Sequence, residues 1–158
     1  MKYSELFESI ISDIVSAHGT DIKPIGSISV DVFRVGDWTD KYSIFFGGSY
    51  EDAEKYQTLH PEHEVKKYRI TAKNAIVAPN TWKLFGFIRG KEFDGYDFDK
   101  IAQKMKSGVE AGRKIDEMAR KAIKSAGYDV VIYSNPRPPV KYELQVVNQK
   151  SAIINEIL

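Results

Sequence analysis

The order of strand and helix patterns along the chain is the feature that most limits its fold. Apolar runs typical of β-strands come early and late, at about 27–35, 41–46, 64–74, 128–134 and 141–149. One long helical tract, about 99–126, separates the two groups. Because the strands are grouped and do not alternate with helices, this order predicts an α+β class and disfavours a parallel βαβ sheet.

Two further helices are predicted. Apolar residues recur at helical spacing over about 3–17, namely Leu6, Ile10, Ile11, Ile14 and Val15. A short helix is expected at 49–57, where the Ser49 side chain can cap the first backbone N–H groups. The chain of 158 residues shows no repeat or linker, so we expect a single domain over 1–158 with an N-terminal helix at about 3–17.

Charge and composition limit the kinds of partner. The chain has 23 Lys and Arg against 22 Asp and Glu, so its formal net charge of +1 gives no general attraction to nucleic acid or to an anionic membrane. It has no cysteine, which excludes disulfides, thiolate zinc sites and a cysteine nucleophile. It also lacks an apolar run of the roughly 20 residues that a membrane span needs. We therefore expect a cytoplasmic protein without a membrane partner.

Most familiar site motifs are missing. The sequence contains neither GxxxxGK[ST] nor GxGxxG, so neither a P-loop nor a Rossmann site is supported. His60 and His63 stand three apart around Pro61 and are interpreted as a solvent-exposed loop pair, so no metal is expected. The tract from Lys100 to Lys124 is rich in lysine and arginine. It is interpreted as the wet face of a helix, with phosphate binding as the alternative.

A strand that stops at two glycines raises a question about ligand binding. The run Ile44-Phe45-Phe46 ends at Gly47-Gly48, and Ser49 then opens the short helix. The glycines form either a simple tight turn or a place where the backbone approaches a phosphate-bearing ligand, since glycine lacks a Cβ.

Five segments, taken in order, resemble the ADP-ribosyltransferase superfamily, in particular its small phage- and bacteria-encoded members. They are VFRVG (32–36), YSIFFGGSYEDAEKY (42–56), YRITAKNAIVAPN (68–80), AIKSAGYDVVIYSNP (122–136) and YELQVVNQKSAI (142–153). The resemblance covers most of the chain. It implies an ADP-ribosyltransferase-like fold with two small packed β-sheets around an NAD cleft and with flanking helices.

The resemblance also implies roles for individual residues. Glu143 would be the catalytic carboxylate that stabilises positive charge on the ribose and orients the nucleophile. Arg34 would bind the pyrophosphate or ribose of NAD through its planar fork of donors. The other implied NAD-binding positions are Gly36, Ser43, Phe46, Gly47, Ser49 and Tyr56. NAD is the expected substrate, and no metal is expected.

The implied function is that of a mono-ADP-ribosyltransferase that modifies a host macromolecule as an effector, in the host cytoplasm if the protein is phage-encoded. The expected target is a protein, with a nucleic acid as the alternative. Many arginine-modifying members carry Glu-x-Glu on the terminal strand, where this chain has Glu143-Leu144-Gln145, so Gln145 is a second candidate for the key position. The alternative function is an inactive domain of the same fold that binds a protein, as an inhibitor or virion component, through loops 79–98 and 134–141.

Overall fold

The computed structural model describes residues 9–36, 44–57, 62–90, 103, 108–136 and 138–157. In chain order its elements are β1 (Ser9–Ile10), α1 (Ile11–His18), β2 (Lys23–Val35), β3 (Ile44–Gly47), α2 (Tyr50–Gln57), β4 (Val65–Ala78), α3 (Thr81–Arg89), α4 (Gly108–Ser125), β5 (Val130–Tyr133), β6 (Glu143–Val146) and β7 (Ile153–Ile157). The α+β class is confirmed.

The strands of the described residues form one sheet that closes into a barrel. Their order is β1-β2-β3-β6-β5-β4-β7, and β2 also pairs with β4, so five strands make a ring. The pairing between β4 and β5 is parallel, and the other pairings within the ring are antiparallel. The two small packed sheets that were expected are therefore not what these strands form.

The two longest strands explain the closure. β2 and β4 have 13 and 14 residues and pair along most of their length. Their register shifts on both sides of Gly26, whose φ of +74° lies in the left-handed region that glycine adopts without strain. Register irregularities of this kind bend and twist a strand pair. β4 pairs with β2 along one edge and with β5 and β7 along the other.

The apolar residues form two layers. The barrel interior holds alternate residues of its strands, including Val30, Val32, Ile44, Phe46, Ile70, Ile132 and Leu144, and α1 packs into the same cluster through Ile11, Ile14 and Val15. The second layer lies outside the barrel and contains residues of β4, β5, α3 and α4: Ile76, Ala78, Val131, Tyr133, Leu84 and Ile123. The long amphipathic α4 therefore covers the outer face of the sheet, as its apolar stripe predicts.

The N-terminal helix is shorter than expected. It begins at Ile11, because Ser9 and Ile10 pair with Val30 and Asp31 of β2 as the edge strand β1. The earlier part of the predicted range, before Ser9, lies outside the described residues. A local apolar period could not reveal this pairing, since its partner strand lies 21 residues further along the chain.

Other boundaries differ for similar reasons. Ala75 to Ala78 continue β4 without a break, because β5 pairs with them in parallel. The tract expected to be loop after Thr81 contains α3, which Asn80 caps by accepting a hydrogen bond from the Lys83 N–H at 3.0 Å. The C-terminal residues Ile153–Ile157 form β7, which pairs with β4.

Apart from Gln103, the first part of the predicted long helix lies outside the described residues. Among the residues described, the helices are too short or too polar to cross a membrane.

Candidate functional site

One end of the barrel brings together Arg34, Tyr56 and Glu143. Gly47 at the end of β3 pairs with Phe33 of β2 on one side and with Glu143 of β6 on the other. Helix α2 follows β3 directly and carries Tyr56 back over this end. The Tyr56 hydroxyl donates a hydrogen bond of 2.8 Å to Glu143 Oε2, across 87 residues of sequence.

The surroundings of Glu143 favour its protonated form more than water does. Burial raises the pKa of the half-buried Glu143 carboxyl, and the negative charges of Asp116 and Asp52 raise it further, while the hydrogen bond from Tyr56 opposes them. Burial and the charge of Glu143 also raise the pKa of Tyr56. Tyr56 therefore keeps its proton at neutral pH and acts as the donor. Glu143 is a carboxyl group whose proton affinity exceeds that of an ordinary glutamate.

Arg34 supplies a positive charge whose effect reaches Tyr56. Its Nη1 donates a 2.6 Å hydrogen bond to the Phe45 carbonyl oxygen, and its guanidinium lies 5.9 Å from the centroid of the Phe46 ring. Its charge partly opposes the rise in the pKa of Tyr56. The guanidinium is therefore within electrostatic reach of the hydroxyl that binds Glu143. The bond to Phe45 fixes the position of this guanidinium at the end of β2.

Gly47 and Gly48 permit a close approach between segments of this chain. A Cβ on Gly47 would lie 2.8 Å from the Ala53 backbone nitrogen in α2, and one on Gly48 would lie 2.7 Å from Tyr142 Cβ. The Gly48 N–H also donates to the Tyr142 carbonyl at 2.9 Å. The turn therefore needs two glycines so that α2 and the segment before β6 can both pack against it. This packing agrees with the first of the two interpretations, a tight turn.

Asp52 is a site residue that the sequence did not single out. Its side chain is buried, and its carboxylate accepts hydrogen bonds from the backbone N–H groups of Lys141 at 2.8 Å and Tyr142 at 3.2 Å. Lys55, on the same helix, donates to the Pro139 carbonyl at 2.7 Å. Helix α2 thus holds the segment that leads into Glu143.

The remaining predicted positions lie around this site in different settings. Ser49 caps α2, since its hydroxyl oxygen accepts the Asp52 N–H at 3.1 Å. Phe46 is buried inside the barrel, with its ring edge-on to that of Tyr68. Gly36 follows β2 with a φ of +78° and lies beside His63. Ser43 lies outside the described residues.

Gln145 occupies a buried position on the same face of β6 as Glu143, because residues two apart on a strand share a face. Its side chain is 2% exposed, and its Oε1 accepts a 2.6 Å hydrogen bond from the Tyr133 hydroxyl. Gln145 therefore lies beneath the protein surface, whereas the Glu143 carboxylate is partly open to solvent.

The potential metal ligands of the described ranges are scattered. Within those ranges, no three His, Cys, Asp or Glu side chains come close enough together to hold a metal ion. His63 lies 3.4 Å from Glu62, and His60 is outside the described residues.

The raised pKa of Glu143 leads to a testable effect on stability. The folded chain binds this proton more tightly than the unfolded chain. The stabilisation is therefore complete below the ordinary glutamate pKa of about 4.3 and is lost as pH rises through the higher pKa of the folded state. We expect Glu143→Gln to be more stable than the wild type at pH 7 and to lose this advantage near pH 4. Melting temperatures from pH 4 to pH 8 measure the difference.

The matched control for this measurement is Glu54→Gln. Glu54 is exposed on the same helix as Tyr56, so its substitution removes one negative charge without the burial that affects Glu143. An advantage of Glu143→Gln that stayed constant from pH 4 to pH 8 would contradict the raised pKa.

The site as a whole joins an anion-binding group to a carboxylate. Arg34 can bind a phosphate, while Glu143 can accept a hydrogen bond from a hydroxyl or stabilise a nearby positive charge. The Tyr56 hydroxyl fixes one oxygen of that carboxylate. Comparisons of the chain with protein-family models, with curated proteins and with solved structures found no match.

Proposed function

We propose that this chain is a mono-ADP-ribosyltransferase that transfers ADP-ribose from NAD to a macromolecule, and that it does so at one end of its five-stranded barrel. The observation that carries the proposal is the meeting of Arg34, Tyr56 and Glu143 at one end of the barrel, with a hydrogen bond of 2.8 Å between the last two. These residues come from three separate segments of the resemblance. The resemblance led us to expect Arg34 and Glu143 in one cleft, whereas the contact of Tyr56 with Glu143 was not expected from it.

In the proposed reaction, the bond between the ribose carbon and the nicotinamide nitrogen breaks. The bonding electron pair leaves with nicotinamide, which becomes neutral, and positive charge develops on the ribose. Arg34 holds the pyrophosphate, and the Glu143 carboxylate lies close to the ribose and stabilises this charge. A lone pair of the acceptor then forms the new bond to the ribose carbon, and Glu143 takes the proton that the acceptor releases.

The electrostatics of the site suit both roles of Glu143. A carboxylate with a raised pKa is a better proton acceptor than an ordinary glutamate. Tyr56 keeps the carboxylate in one orientation, because a phenol that retains its proton can only donate to it. The activity is expected to decline on the acid side as Glu143 becomes protonated, at a pH above that of an unperturbed glutamate.

The alternative, an inactive binding module, would be favoured by a bulky side chain filling the site. Phe46 is buried inside the barrel, and Trp82 lies on α3, where it lines a groove with Phe85 and with α4. Phe46 is therefore part of the barrel core, with its ring 5.9 Å from the Arg34 guanidinium, and Trp82 is part of the contact between α3 and α4. Trp38 is the third bulky side chain that could fill the site, and Arg137 belongs to the partner-binding loop 134–141 of the alternative; both lie outside the described residues.

A direct test uses NAD labelled on its adenylate part. We expect the purified protein, added to a bacterial lysate, to transfer the label to a discrete macromolecule and to release nicotinamide in equal amount. Treatment of the product with protease or with nuclease distinguishes a protein target from a nucleic acid. Neither label transfer nor nicotinamide release, in lysates of several hosts, would contradict the proposal and favour the binding module.

Arg34→Ala is expected to weaken NAD binding by about tenfold or more, since a charge-assisted bond to phosphate contributes about 1.5–3 kcal/mol. Arg34→Lys keeps the charge but loses the planar fork, so its affinity for NAD should lie between that of the wild type and that of Arg34→Ala. Isothermal titration with NAD measures both variants. Arg89→Ala, which removes an exposed arginine from α3, is the control. Equal affinity of Arg34→Ala and wild type would exclude Arg34 from the NAD site.

A further inference from the structure

A basic pocket lies at the far end of β6 from Glu143. It has a volume of about 340 Å³ and is formed between α4 and the turn that follows β6. Arg120 and Lys124 line it from the helix, and Lys150 lines it from the turn. Its near wall, Val146, stands three positions after Glu143 on β6, which corresponds to roughly 10 Å along the strand.

The lining of this pocket carries a net positive charge. Besides the three cations, the described lining consists of Val146 at the end of β6, Val147 directly after it, and the carboxamides of Asn148 and Gln149, so none of these described residues is acidic. Over the described ranges, none of the three cations forms an ion pair with an acid. Glu117, which lies near Arg120 on α4, is paired with Lys121 at 3.0 Å. The positive charge is therefore available to an anion from outside the chain.

Hydrogen bonds hold the turn that carries Lys150 in place. The Val147 and Asn148 N–H groups donate to the Asp129 carbonyl at 2.9 and 3.3 Å. The Asn148 side-chain oxygen accepts the Lys150 N–H at 3.1 Å, and its backbone oxygen accepts the Ala152 N–H at 3.1 Å. Arg120 and Lys124 are four residues apart, so they project from the same face of α4 about 6 Å apart. The backbone positions that carry the three cations are thus fixed by the fold.

We propose that this pocket binds the phosphodiester backbone of a single-stranded nucleic acid. A polymer with a negative charge on every unit can meet three cations on two elements at once, whereas one arginine fork already satisfies a single carboxylate. Among the described residues of the lining there is no aromatic side chain on which a base could stack, and this lining is more polar than a typical small-molecule site. Recognition is therefore through phosphates and is independent of base sequence.

The test is fluorescence anisotropy with a 5′-labelled 12-nucleotide uridine RNA, measured without NAD at salt concentrations from 50 to 200 mM. The absence of NAD separates this result from the fate of the transferase proposal. We expect the double variant Arg120→Gln, Lys124→Gln to bind about tenfold more weakly than the wild type at 50 mM salt. The slope of log affinity against log salt should become shallower by about 1.4, because each phosphate contact to a single strand contributes about 0.7.

The matched control is the double variant Lys114→Gln, Lys121→Gln, which removes the same charge from the same helix at exposed positions that do not line the pocket. We expect this control to bind the RNA within about twofold of the wild type. Equal weakening by the two double variants would overturn the proposal, because the attraction would then come from the general charge of α4. Melting temperatures measured for both double variants test whether they are folded.

Competition distinguishes other sources of negative charge. Poly-glutamate at equal charge should displace the RNA poorly, and uridine monophosphate at equal phosphate concentration should displace it poorly as well. Displacement by poly-glutamate as effective as that by unlabelled RNA would point instead to an acidic protein partner. Displacement by the monophosphate would point to a small-molecule site. No binding of RNA by the wild type at 50 mM salt would also overturn the proposal.

Discussion

Glu143→Gln is expected to lower the rates of label transfer and nicotinamide release by about 10²- to 10⁴-fold, the range for loss of one group that stabilises charge or transfers a proton. Glutamine has nearly the same shape as glutamate and can still accept the Tyr56 hydrogen bond, but it carries no charge and takes no proton. NAD affinity should stay within about threefold of the wild type, because Arg34 is unchanged. Single-turnover rates and isothermal titration measure the two quantities.

Two variants make this result specific to Glu143. Glu54→Gln removes a charge from the helix that carries Tyr56 and should leave the rate near that of the wild type. Gln145→Glu tests the other candidate on β6. Because Gln145 is buried and bonded to Tyr133, a carboxylate there would be costly, so we expect lower stability and no gain in activity. A rise in activity with Gln145→Glu would move the catalytic role away from Glu143.

The parts of the site that the sequence could predict are those that local patterns and the resemblance determine. Arg34 ends an apolar strand, Ser49 stands where a helix cap is needed, and Glu143 begins a late strand, and each lies on the element expected for it. Their order along the chain suggested one common site. The partner of Glu143 could not be predicted, since Tyr56 contacts it only after β3, β6 and α2 have assembled.

The fold shows the same limit at larger scale. Grouped strands predicted the α+β class, but strand periodicity describes one face of one strand and says nothing about which edges pair. The closure of the barrel depends on β2 contacting β4 over most of its length and on the bend near Gly26. The edge strands β1 and β7 are short, and each needs a distant partner to exist. Nonlocal pairing therefore accounts for the differences from the expected two-sheet fold.

Asp52 is the position where nonlocal structure has the largest expected effect on stability. In the unfolded chain its carboxylate and the N–H groups of Lys141 and Tyr142 are hydrated, whereas in the fold they satisfy each other in a buried setting, 89 and 90 residues apart. Asp52→Ala leaves both N–H groups without that acceptor. At about 1.5 kcal/mol or more for each bond, we expect a loss of about 3 kcal/mol or more.

A loss of this size corresponds to a fall in melting temperature of about 6–12 °C for a domain of this length, which calorimetry or urea unfolding measures. Asp52→Asn keeps one acceptor oxygen but turns an amide N–H toward the other donor, so it should be destabilising as well. Glu51→Ala, an exposed acid in the same first turn, should cost only about 0.3–1 kcal/mol through the helix dipole. A melting temperature of Asp52→Ala within about 2 °C of the wild type would show that the segment before Glu143 is held by other contacts. If Asp52 does hold this segment, Asp52→Ala should also lower transferase activity at temperatures at which the variant is still folded. The reason is that Glu143 directly follows Lys141 and Tyr142, the two residues that Asp52 binds.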